Sequence, residues 1–223
     1  MMDTRIEQLR NSSGEADTHG LSNELVDSFL KIDPNLNIAL DLAIKARENL
    51  DDEVEDLLVS LNESQFAREL QKDFVNFYEP STVNPYIPLA AKGPWIITTH
   101  GAVVHDNGGY GMLGMGHDPT EVMSSMSKSH VMANVMTPSV THKRFADTLK
   151  REVGHTRGAC PFDRFICMNS GSESVTVAMR ISDINARLMT DQEGPHQGKE
   201  IWTVALDSGF HAVSYTHLRA HET

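Results

Sequence analysis

Cysteine is nearly absent from this chain: Cys160 and Cys167 are the only two among 223 residues, and they stand in no C-x-x-C arrangement. A disulfide framework and a thiolate metal cage are therefore excluded as organising devices, and a reducing cytosol fits this usage. Long apolar runs are also missing. No window reaches the roughly 18 consecutive apolar residues of a membrane span. The opening MMDTRIEQLRNSSGEAD carries no apolar stretch of the secretory type. Basic residues are in deficit, with 19 Lys and Arg against 31 Asp and Glu and a formal charge of -12. Nucleic-acid affinity comes mainly from clustered Lys and Arg, so a nucleic-acid partner is not expected. What the chain does hold is 39% hydrophobic residues, enough for one large domain or two small ones with a sizeable core.

The hydrophobic pattern divides the sequence. Residues 1–20 are polar, carry no periodicity and read as a mobile tail. Over 21–79 the apolar positions Leu25, Phe29, Leu36, Leu40, Ile44, Leu57, Leu58, Phe66 and Leu70 recur at helical spacing. Pro34 and Asn62-Glu63-Ser64 interrupt them, which predicts three or four short helices with acidic outer faces. The proline-rich run EPSTVNPYIPLAAKGP then marks a boundary near Glu79. Beyond it, Trp95 to Thr98 and Ala102 to His105 read as short strands. The glycine-rich run from His105 to Gly111 reads as a turn. Asp118 and Pro119 suit the cap and first turn of a helix through about Ser127, and a second helix spans Ser139 to Gly154.

Further on, the alternation changes. Phe165-Ile166-Cys167-Met168 has the composition of a buried strand, Asn169 to Glu173 that of a turn, Val175 to about Met189 that of a helix, and Ile201 to Leu206 that of a second strand. Strand, helix and strand in this order predict a parallel α/β sheet.

The Ser/Gly turn carries the chemistry. Unpaired backbone N–H groups and the positive end of a helix converge there, and Ser170 and Ser172 add hydroxyls. Such a turn is either an anion site or a plainly capped helix, and the residues alone leave both open. Glu173 suits a first-turn carboxylate. The histidines, among them His100, His105, His117 and His130, show no zinc spacing, so no metal site is expected. The methionines Met112, Met115, Met123, Met126, Met132 and Met136 read as packing material. Ser170-Gly171-Ser172 lacks the second glycine of a serine-hydrolase elbow.

Met168-Asn169-Ser170-Gly171-Ser172-Glu173-Ser174 resembles the N-S-G-(A/T/S)-E-A segment of class III pyridoxal-phosphate-dependent aminotransferases, the group of the ornithine, acetylornithine and 4-aminobutyrate enzymes. Upstream, Gly114-Met115-Gly116-His117-Asp118-Pro119 resembles the family's G-H-x-P segment, and downstream Gly209-Phe210-His211 resembles the start of its (G/A)-(F/Y)-H-G-R-T segment. The resemblance covers about Pro94 to His211 and implies a fold type I α/β transferase, of which this is a truncated N-terminal part with a helical extension. It implies that residues 80–155 form the small-domain segment and the entry to the large domain, and that 156–212 begin the large cofactor-binding domain. It further implies that Ser170, Gly171 and Ser172 hold the phosphate of pyridoxal 5'-phosphate, that Phe210 stacks on its ring and that His211 lies close by. The glycine-rich turn from Asp106 to Gly114 departs from the family's wording, so substrate contacts stay unassigned.

The implied activity is transfer of an amino group from an amino donor to a 2-oxo acid by a cytoplasmic homodimer. The same fold also hosts aminomutases, epimerases and decarboxylases, and a non-catalytic phosphate-binding or interaction module is a further alternative. The family's Schiff-base lysine lies beyond the position matched by Phe210, so no catalytic residue is expected here and the chain alone is expected to be inactive. Residues 213–223 resemble the translation of an adapter used in sequencing libraries and read as an artefactual tail.

Overall fold

The computed structural model describes residues 2–75, 86–107, 114–131 and 136–204. They fall into two units, Met1–Val131 and Met132–Thr223.

The first unit is built on helix α3 and a three-stranded sheet. α3 (Pro34–Arg47) starts where Asp33 accepts the Asn35 N–H and Pro34 supplies a pre-set φ at the first helical position. Its Leu36, Ala39, Leu40 and Ala43 recur at helical spacing and are fully buried. That stripe packs against β1 (Pro88–Lys92) and β2 (Trp95–Thr98). β2 runs antiparallel between β1 and β3 (Val103–His105), giving the order β1-β2-β3. Trp95, Ile97 and Val103 close the same core. Gly93 and Gly101 take positive φ in the two tight connections, a conformation glycine adopts without steric cost.

Four more helices surround this centre: α1 (Thr4–Asn11), α2 (Asn23–Leu30), α4 (Asp52–Ser60) and α5 (Glu63–Gln71). Each opens on a side-chain cap, from Asp3, Ser22, Asp51 and Asn62 respectively. The three or four helices expected over 21–79 are four among the described residues, α2 to α5. The expected tail is corrected by α1, whose Ile6 and Leu9 enter the core. Two apolar residues three apart are too few to stand out among polar neighbours, yet both are covered completely.

The expected boundary at Glu79 lies outside the described residues. On either side of it, helices and strands share one core, so 21–79 is no separate layer. The proline-rich run also contains β1, where Pro88 occupies the first strand position beside a bulge, a place that needs no ladder donor. α6 (Thr120–Met126) follows, capped by Pro119 without a side-chain bond, while Asp118 sits at φ 45. Met115, Met123, Met126 and Met136 are exposed rather than packed, and Met112 and Met132 lie outside the described residues.

The second unit holds α7 (Val140–Gly154), capped by Ser139, and α8 (Gly171–Thr190), capped by Ser170. Both helices match the sequence pattern. The expected flanking strands do not form: residues 165–168 and 201–204 are irregular. A strand needs a neighbour to take its backbone bonds, and among the described residues none is paired with either segment. No described apolar side chain of this unit is buried; Ile166, Ile184, Leu188 and Trp202 all face solvent.

Candidate functional site

The Ser/Gly turn lies at the N-terminus of a 20-residue helix, α8. Ser170 stays extended (φ -145, ψ 161) and its Oγ accepts the Glu173 N–H at 3.2 Å. The Glu173 carboxylate reaches back and accepts the Asn169 N–H at 2.8 Å. Ser170 thus caps the helix, while Glu173 folds back onto the residue that precedes the cap. Ser174 donates its N–H and its hydroxyl to the Ser170 carbonyl at 3.1 and 3.0 Å. Ser172 is half-buried, and its carbonyl accepts the Thr176 hydroxyl at 2.8 Å.

This donor set fits a phosphate monoester in kind, since the first N–H groups of a helix and serine hydroxyls are acceptor-seeking. Glu173 brings its own negative charge to the same helix end, so a bound dianion and this carboxylate compete for it. Of the five residues singled out in the sequence, Ser170, Gly171 and Ser172 are brought together here. Phe210 and His211 lie outside the described residues, as does 213–223.

A second cleft, of about 410 Å³, lies in the first unit and is lined by Asn35, Gly93, Pro94, Asp106, Met115 and His117 among others. The Gly114–Pro119 segment reaches it because Gly93 and His117 exchange backbone hydrogen bonds of 2.9 and 2.7 Å. The His117 Nε2 and an Asp106 carboxylate oxygen stand 2.9 Å apart. Lys92 anchors the adjoining turn through the Asp118 carbonyl, its carboxylate and the Thr120 hydroxyl, at 2.6 to 2.9 Å. Residues 108–113 of the glycine-rich turn are outside the described set.

A third group of residues has no counterpart in the sequence reading. Glu63, at the first position of α5, is fully buried, and its Oε2 accepts the N–H groups of Asp17 and Thr18 at 2.9 and 2.7 Å. His100, 1% exposed, meets the Thr99 hydroxyl through Nδ1 at 3.0 Å. Burial lowers the His100 pKa below its ordinary value, against the pull of the Glu63 and Asp17 carboxylates. A glutamate in a helix's first turn and a lone histidine after a strand are ordinary surface patterns, so no sequence signal marks this pair.

Among the described residues no group of three or more His, Cys, Asp and Glu could hold a metal ion. No described helix is long and apolar enough to cross a membrane. Compared with protein-family models, curated proteins and solved structures, the chain gives no match in any of the three.

Proposed function

We propose that the chain is the N-terminal part of a class III pyridoxal-phosphate-dependent aminotransferase of fold type I, whose intact form moves an amino group from an amino donor to a 2-oxo acid. The observation that carries this reading is the seating of Asn169-Ser170-Gly171-Ser172 at the N-terminus of α8, the place where backbone donors meet a phosphate best. On this reading Gly171 and Ser172 bind the cofactor phosphate, and Ser170 fixes the helix end by capping it. Phe210 stacks on the ring, with His211 beside it. When bound, the cofactor supplies an electron sink for the amino substrate.

The bare second unit agrees with this reading. Apolar segments 165–168 and 201–204 have the composition of sheet strands, and among the described residues neither has a strand neighbour, which suits strands of a sheet that the described residues do not complete. Lys143 and Lys150 lie on the exposed helix α7, and Lys143 pairs with Asp147. Neither is assigned to the cofactor. A homodimer forms the complete site on this reading.

The test is to read the gene past the codon for His211 to its natural stop, produce that protein and measure both amino transfer and the protein-bound cofactor's visible absorption. Transfer with bound cofactor supports the proposal. Cofactor binding with racemised, rearranged or decarboxylated products selects another fold type I reaction. A product that neither binds the cofactor nor transfers amino groups leaves a phosphate-binding or interaction module.

A further inference from the structure

Glu63 and His100 each carry a buried polar atom without a hydrogen-bond partner, Oε1 and Nε2 respectively, and so does Thr18 at Oγ1. They arrive from three places: the start of α5, the connection between β2 and β3, and the segment that follows α1. Glu63 is tied to that segment by three bonds. Its Oε2 takes the N–H groups of Asp17 and Thr18, and its own N–H reaches the Glu15 carbonyl at 2.9 Å. Thr18 and His100 both line a cleft of about 630 Å³, whose wall also includes Arg10, His19, Ser22 and Asn23.

The charged neighbours of His100 are Glu63 from α5, Asp17 from the tethered segment and Arg47 from α3. Arg47 is itself committed, donating to the Ser12 carbonyl and pairing with Glu55. Phe66 covers the imidazole, with ring centroids 6.4 Å apart. The closed arrangement buries the imidazole, at 1% exposure, with Nε2 unpartnered, so a positive charge on the ring gives up its hydration without gaining a hydrogen bond at that nitrogen.

We propose that Glu63 and His100 form a proton-operated latch, in which neutral His100 lets the segment Ala16–Gly20 stay seated on Glu63 as one wall of the cleft and protonation of His100 releases it. The physical step is an equilibrium between a closed form, where burial resists the charge, and an open form, where the imidazole reaches water. An open form with an ordinary histidine pKa of about 6.5 takes up a proton that the closed form refuses. As pH falls below that value, opening is favoured by up to about tenfold per pH unit, until the closed form also protonates. Above it the latch stays shut.

The test is hydrogen exchange by mass spectrometry on the full chain, following peptides that contain Asp17 and Thr18 between pH 7.5 and 5.5. Rates are divided by the intrinsic rate at each pH, so that protection alone is compared. Protection is expected to hold from pH 7.5 to 6.5 and then fall by about fivefold to tenfold by pH 5.5. His100→Gln puts a neutral amide in place of the imidazole and removes the titration, and its protection is expected to stay within twofold across the range. A wild-type protection that is flat, or absent at pH 7.5, overturns the latch. So does a His100→Gln chain with the wild-type fall. Should His100→Gln lose the protection of β2 at pH 7.5, His100→Phe replaces it under the same criteria, since it keeps the ring packing on Phe66.

Discussion

Asp33 serves two elements at once. One carboxylate oxygen caps α3 through the Asn35 N–H at 2.9 Å, and the other accepts the Trp95 indole N–H at 2.8 Å. Burial pushes its pKa up, but the bonds from Trp95 and Asn35 outweigh burial and the net shift is downward. A depressed carboxyl contributes stability in full above its unfolded pKa of about 3.9 and loses it as pH falls through the folded value. Asp33→Ala removes a cap and strands a buried indole donor, which together cost about 2–3 kcal/mol. Denaturant unfolding followed by Trp95 emission, in a background where the exposed Trp202 is replaced, should show that loss at pH 7 and a smaller one at pH 3. An equal loss at both values would refute the charge-assisted role. Gly20 offers a second residue-scale test. It sits at φ 64, and an added Cβ would lie 2.5 Å from the Val103 carbonyl oxygen, which accepts the Leu21 N–H. Left-handed strain of about 1–2 kcal/mol plus that clash makes Gly20→Ala destabilising by at least about 2 kcal/mol in the same assay.

At the scale of elements, α8 shows how a helix can be specified without a fold around it. Ser170 caps its start and Glu173 ties back the Asn169 N–H just before it, so the helix holds its N-terminus by local bonds alone. Ser170→Ala is expected to cost α8 about 1 kcal/mol, read as roughly fivefold faster exchange in its first two turns with α7 unchanged. Glu173→Gln discriminates the two readings of the turn. If the helix end binds phosphate, removing the competing charge raises affinity for inorganic phosphate by about threefold to tenfold at low salt, measured by calorimetry. If α8 is only a capped helix, neither chain binds phosphate. β2 shows the opposite dependence: its four residues are all buried, and it stands because β1, β3 and α3 surround it. The segments 165–168 and 201–204 have similar composition but no such neighbours, and they stay irregular.

Taken as a whole molecule, the chain pairs a unit that has a core with one that has none among its described residues. Trypsin at low ratio should therefore cut within 136–204 first and leave a fragment containing Ile6 to Val103, and an apolar dye should bind the intact chain more than that fragment. Early cleavage within α3 would count against this. The positions of β2, β3, α7 and α8 were legible because each is fixed by nearby residues: strand-forming apolar runs between glycines, or serine caps ahead of periodic apolar positions. The Ser170-Gly171-Ser172 turn was legible for the same reason, being local in sequence. Burial was not. That Ile6 and Leu9 belong to a core, that Pro88 begins a strand, and that Glu63 meets Asp17 and Thr18 beside His100 depend on residues brought together from distant parts of the chain. Local chemistry is written in consecutive residues, whereas desolvation and strand pairing exist only once a second element supplies the surface, and tertiary structure alone decides which segments receive one.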